Sequence, residues 1–139
     1  AVLEDGRAAE RFGKMVAALG GPTDFIERVG AHLPTAPVSK AVLPIAPGYV
    51  SAIAAEEVGH LVVRLGGGRL RDGDRIDPSV GLTGLAALGA RVGEGQPLGI
   101  VHAATPAAAE AAAQDLRATY QVSDAPPTEQ DIVIESVSA

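Results

Sequence analysis

The sequence predicts an α+β fold, and three observations carry that reading. The first 33 residues hold two amphipathic helical patterns. The remainder mixes β-branched, strand-like runs with two further helical patterns. Within that remainder, Gly66-Gly67-Gly68 and the charged run Arg69 to Arg75 mark where one helix pattern stops and the next strands begin. No repeat of fixed period is present, and prolines cluster between Leu33 and Pro37, which sets the expected boundary at 1–35 and 36–139.

Taken in order, Ala8, Phe12, Met15, Val16 and Leu19 fall at helical spacing. Gly20-Gly21-Pro22 stops that helix, because glycine suits the cap and proline cannot continue it. Thr23 is the expected cap of a second short helix, with Asp24 and Glu27 near its positive end and Phe25, Ile26 and Val29 on its buried side. Val38 to Ile45 reads as a strand, Ala46-Pro47-Gly48 as a turn, and Tyr49 to Ile53 as the returning strand of a hairpin. Ala54 to Leu65 reads as a helix with Val58, Leu61, Val62 and Leu65 on one face.

Beyond the glycine run, Asp77-Pro78 forces a turn, with Asp77 and Ser79 expected to fix it. Ile76 and Val80-Gly81-Leu82 read as short strands, and Gly93-Glu94-Gly95 as a hairpin turn. Pro97 to Ala103 reads as a buried strand. Thr105-Pro106 is a helix start, a capping side chain followed by proline at the first position. The alanine-rich helix that follows is expected to run to about Tyr120, with Ala109, Ala112, Leu116 and Tyr120 inward. Ile132 to Val137 reads as a last strand.

Composition narrows the function classes. Hydrophobic residues make up 47 % of 139, which excludes a disordered chain, while aromatics at 3 % require an aliphatic, alanine-filled core. No apolar run approaches the ~18 residues of a membrane span, and the N-terminus lacks the basic and apolar regions of a signal peptide. The absence of cysteine excludes disulfides and thiolate metal sites and fits a cytoplasmic protein. A net charge of -6 with only two lysines, Lys14 and Lys40, argues against a nucleic-acid footprint. Residue 1 is Ala and a helical pattern begins within a few residues, which reads as a piece of a longer chain.

Candidate chemistry is sparse. Gly66, Gly67 and Gly68 offer bare backbone N–H groups that can cradle an anion, but they follow a helix and lack the Gly-Lys-Ser/Thr of a phosphate loop, so a helix cap with a flexible loop is the simpler expectation. Glu56 and His60 stand at i, i+4, a spacing metals use, without a third ligand nearby, so a surface pair is expected. His102 ends an apolar strand and reads as a packed or hydrogen-bonded residue. No Ser/His/Asp order with a nucleophile elbow is present.

Two stretches resemble a known family. Gly-Gly-Gly-Arg at 66–69, the charged spacer, Asp-x-Ile-Asp at 74–77 and Ser-Val-Gly-Leu at 79–82 are similar to the C-terminal part of the thymidine/pyrimidine-nucleoside phosphorylases. So are Gly6-Arg7-Ala8, Phe12, Met15-Val16 and Gly20-Gly21 with Phe25, although Leu19 stands where many members carry Gln. The resemblance implies that residues 1–35 are the helical tail of a large α/β domain and that 36–139 form a small mixed-sheet hammerhead domain of biotinyl/lipoyl-like type. It implies reversible phosphorolysis of thymidine to thymine and 2-deoxyribose 1-phosphate, with phosphate as co-substrate and no cofactor or metal. It also implies a homodimer formed through an N-terminal domain outside this chain. The family's catalytic motifs lie in that N-terminal portion, so no catalytic or substrate-binding residue is carried over. Gly66, Gly67, Gly68 and Arg69 are the candidate cleft-facing loop.

A second class competes. Pro44-Ile45-Ala46-Pro47-Gly48-Tyr49-Val50 and Val92-x-x-Gly95-x-Pro97-Leu98 resemble half-motifs of biotinyl and lipoyl carrier domains. A carrier needs a lysine at an exposed hairpin tip. Lys14 falls in a helix and Lys40 on a strand, so shared fold ancestry explains the half-motifs better than shared function.

Overall fold

A computed structural model describes residues 2–128. The chain forms two compact units that divide between Thr35 and Ala36.

In the first unit, α1 spans Arg7–Ala18 and α2 spans Val29–His32. Gly6 enters α1 with φ 82°, and Asp5 accepts from the Arg7 amide at 3.1 Å. The helix ends as its glycines require. Gly20 adopts φ 87°, its N–H reaches the Ala17 carbonyl, and the Gly21 N–H reaches the Val16 carbonyl at 2.9 Å, a Schellman closure. The apolar stripe is present but uncovered: no residue of α1 is buried, and Phe12, Met15 and Leu19 are all exposed. Phe25 meets Phe12 edge-on with ring centres 6.1 Å apart. The second helix is shorter than Thr23 suggests. Residues 23–28 are turns, α2 begins only after Arg28, and no side chain caps it. Asp24 is occupied otherwise, accepting from Arg28 at 3.2 Å and pairing with His32 at 2.8 Å.

The second unit contains β1 (Val38–Val42), β2 (Gly48–Ile53), α3 (Ala55–Val62), β3 (Gly81–Thr83), β4 (Arg91–Val92), β5 (Gly99–Ala103), α4 (Pro106–Thr119) and β6 (Tyr120–Ser123). It is α+β, as expected, but its sheets are not mixed. Two three-stranded sheets, ordered β1-β5-β3 and β4-β2-β6, are antiparallel throughout. The expected β1/β2 hairpin is also absent. Val38 pairs with Ala103 and Val42 with Gly99, while Tyr49 pairs with Arg91 and Ser123. Pro44 and Pro47 explain this: each lacks an N–H and fixes φ, so the segment cannot continue a two-stranded ladder and passes from one sheet to the other.

α4 packs across β1 and β5 and against α3. Thr105 caps it, accepting from the Ala108 amide at 3.1 Å, and Pro106 occupies the first turn. Ala109, Ala112, Ala113 and Leu116 are buried on its inner face. Alanines let the helix backbone approach the sheet closely, so Val42, Val101, Leu98 and Leu61 close the core together with Tyr120. Ile76 and Val80 are not strands, and only Gly81–Thr83 pairs with β5. Strand β5 starts at Gly99 rather than Pro97. The expected strand Ile132 to Val137 lies outside the described residues.

Candidate functional site

The glycine run lies where α3 gives way to loop. α3 continues into a π-helical turn, Val63–Gly67, in which Gly66 takes φ 100°. That angle is in the left-handed region and requires glycine. Gly67 and Gly68 are required for a different reason. A Cβ at Gly67 would lie 2.9 Å from Val62 Cγ1, and one at Gly68 2.8 Å from Val63 Cγ2. The chain thus folds back against its own helix.

The excursion that follows is closed at its neck and at its tip. The Asp77 amide donates to the Gly66 carbonyl at 2.9 Å. At the tip, Asp74 Oδ2 accepts from the amides of Leu70 (3.1 Å) and Arg71 (2.8 Å), and Arg69 Nε reaches the Asp74 carbonyl at 3.3 Å. Two successive N–H groups converging on one oxygen form an anion nest, here filled by the chain's own carboxylate. Beyond the neck, Asp77 Oδ1 accepts from the Ser79 amide (2.9 Å) and hydroxyl (2.6 Å), the turn expected at Asp77-Pro78. The Ser79 hydroxyl, followed by its amide, holds the Asp77 carboxyl below the usual aspartate range. Arg69, Leu70, Arg71 and Arg75 are exposed.

The histidines do not converge. His32 pairs with Asp24. His60 Nδ1 stands 3.6 Å from Glu57, three residues back, rather than beside Glu56. His102 Nε2 is 2.8 Å from Thr83 Oγ1 on the neighbouring strand, the hydrogen-bonded role expected of it. Among the described residues, no three His, Asp or Glu side chains gather as a metal site would require. Both lysines are engaged in ion pairs, Lys14 with Glu10 and Lys40 with Glu110, and Lys40 lies within β1, not at a hairpin tip. No helix among the described residues is long and apolar enough to cross a membrane.

One feature is absent from any local reading of the sequence. A cavity of about 250 Å³ opens beside Pro44–Pro47, floored by Leu98, Tyr120 and Val122 and edged by Arg117 and Asp124. Tyr120 donates to the Ala86 carbonyl at 3.1 Å, and burial pushes its phenol up. The walls come from segments that range from Pro44 to Asp124 along the chain, so no motif announces them.

The stretch from β2 through the glycine run and closed loop to β6 matches a known domain. Residues 49–123 match the pyrimidine nucleoside phosphorylase C-terminal domain. The chain belongs to the pyrimidine nucleoside phosphorylase family. It is 45 % identical over 138 residues to a thymidine phosphorylase of Rhizobium meliloti (strain 1021), covering 99 % of this chain and 31 % of that protein. It is 46 % identical over 135 residues to one of Mesorhizobium japonicum, covering 97 % and 31 %. A thymidine phosphorylase of Sinorhizobium medicae is 44 % identical over 131 residues, covering 94 % and 30 %. The chain therefore spans about a third of the length of these phosphorylases, and the likeness runs through the helical unit as well as the domain.

Proposed function

We propose that this chain is the C-terminal portion of a cytoplasmic thymidine phosphorylase. The observation that carries the reading is the 45 % identity to a phosphorylase along 99 % of the chain. Residues 1–35 are then the helical tail of the large phosphorylase domain, which accounts for the uncovered stripe of Phe12, Met15 and Leu19. Residues 36–139 are the hammerhead domain.

In the whole enzyme a phosphate oxygen attacks the anomeric carbon of thymidine. The bond from that carbon to the base nitrogen breaks, and the electron pair leaves with the pyrimidine. Charge on phosphate and on the departing base needs fixed cations and donors in a closed cleft. Among the described residues this chain offers no such constellation. Its role is to supply one wall, with the Gly66–Arg69 turn facing the cleft on a loop that is closed on itself and free to move as a unit. Taken alone, the chain is catalytically silent.

The test is phosphate-dependent release of thymine from thymidine. It compares the full-length enzyme, the 139-residue chain, and the full-length enzyme with residues 67–76 replaced by a two-glycine link across the Gly66–Asp77 neck. The expected results are turnover, none, and a large loss of kcat with the melting temperature of the enzyme kept. Turnover by the isolated chain near the full-length rate, or full activity without the loop, would refute the assignment.

A further inference from the structure

The cavity beside Pro44–Pro47 is not used by the proposed reaction. All of its lining lies within the second unit. Its body is apolar and flat-sided: the rings of Pro44, Pro47 and Tyr120 line it, together with Leu98 and Val122. Leu98 and Tyr120 are core residues held from behind, so that side is already formed before anything binds. The Tyr120 ring is pinned by its hydroxyl, which donates to the Ala86 carbonyl at 3.1 Å.

The rim is polar and holds one group of each sign. Arg117 spends its Nε on the Leu43 carbonyl at 3.0 Å, and its two terminal amino groups make no hydrogen bond or ion pair among the described residues. The Asp124 carboxylate is exposed and likewise has no such partner among the described residues, so the two groups do not neutralise each other. The Ser123 hydroxyl donates to the Ala125 carbonyl at 2.7 Å, which leaves its oxygen as a further acceptor.

We propose that this cavity binds a small, neutral, planar ring carrying a carbonyl beside an N–H, a cyclic amide or imide of the pyrimidine-base type. The carbonyl accepts from the Arg117 amino groups, the ring N–H donates to the Asp124 carboxylate, and the ring faces lie against the proline and tyrosine rings. Size sets one bound. A cavity of about 150 Å³ already takes benzene, and pockets for drug-sized ligands start at about 300 Å³. The volume of about 250 Å³ therefore suits one substituted six-membered ring. Charge sets the other bound. An anion would meet Asp124 and a cation would meet Arg117, while a zwitterion would have to shed water from two full charges where an amide sheds it from two dipoles. The inference rests on the cavity and is independent of the phosphorolysis proposed above.

Thymine titrated into the isotope-labelled 139-residue chain, followed by amide NMR shifts, tests it. Shifts are expected to concentrate at Ile45, Ala46, Leu98, Val122 and Asp124 and to saturate with a Kd below about 1 mM. N,N′-dimethylthymine keeps the ring and both carbonyls but has no N–H, and it binds at least about tenfold more weakly; so does thymine with Asp124→Ala, a change at an exposed position. Arg117→Lys keeps the charge but loses the planar fork, and weakens binding about tenfold. Thermal melts confirm that each variant folds, and the comparison of the two thymines needs no variant. No saturable shift up to about 10 mM thymine overturns the proposal. So do shifts centred outside the cavity, dimethylthymine or a folded variant that binds as thymine and wild type do, or leucine, the zwitterionic alternative, binding more tightly than thymine.

Discussion

Replacing Gly48 by alanine adds one methyl group and should damage the second unit severely. Gly48 opens β2, where the strand runs between β4 and β6. The new Cβ would lie 2.5 Å from the Ser123 carbonyl oxygen and 2.7 Å from Val122 Cγ1. A backbone oxygen cannot rotate away, so β6 must shift and strain the Tyr49–Ser123 and Val50–Val122 pairs. Overpacking of this kind costs roughly 1–3 kcal/mol, and the immovable neighbour places this site at the upper end, about 3 kcal/mol. For a unit of about 100 residues that lowers the melting temperature by roughly 12–24 °C. Gly59→Ala is the internal control. It sits within α3, has no atom within 4 Å of the added Cβ, and should raise stability by about 0.5–1 kcal/mol through helix propensity. Thermal melts followed by circular dichroism read both. A Gly48→Ala chain that melts with or above wild type would refute the packing of β6 against β2 described above.

Thr105→Ala removes the side-chain acceptor for the Ala108 amide and should cost about 1 kcal/mol, visible as a fall of several degrees in melting temperature; Thr105→Ser should recover most of it. Asp77→Ala should lower the melting temperature by freeing the Ser79 turn, with a definite pH dependence. The folded carboxyl titrates below the unfolded one, so its contribution is complete above the ordinary aspartate value of about 3.9 and fades as pH falls through the lower folded value. The gap between wild type and variant should therefore close in acid, and a gap independent of pH would exclude the carboxylate as its source. Limited trypsin digestion of native protein should cut first at Arg69 or Arg71, because the loop's side chains are exposed and only Asp74 organises its tip. A first interior cut elsewhere would count against that reading.

Much of this protein was determined by local chemistry and legible as such. Thr105-Pro106 announces α4, Gly20-Gly21 ends α1, Asp77-Pro78 sets a turn, and the alanine spacing at 109, 112 and 116 names the face that is buried. Each depends on neighbours within five residues, where cap, ring closure and helical period act directly. The family likeness was legible for a related reason, since its motifs are the glycines and acids that a closed loop requires at fixed spacing. Tertiary structure decided the rest. Val38–Ile45 and Tyr49–Ile53 carry a hairpin's pattern, but which strands they join depends on partners about 42 to 74 positions away and on two prolines that turn the chain between sheets. Thr23 has the right side chain for a cap, yet the helix starts six residues later, where Asp24 is already engaged by Arg28 and His32. Hollows such as the one beside Pro44–Pro47 exist only once distant segments meet, because exposure and concavity are properties of packed surfaces rather than of spacing along a chain.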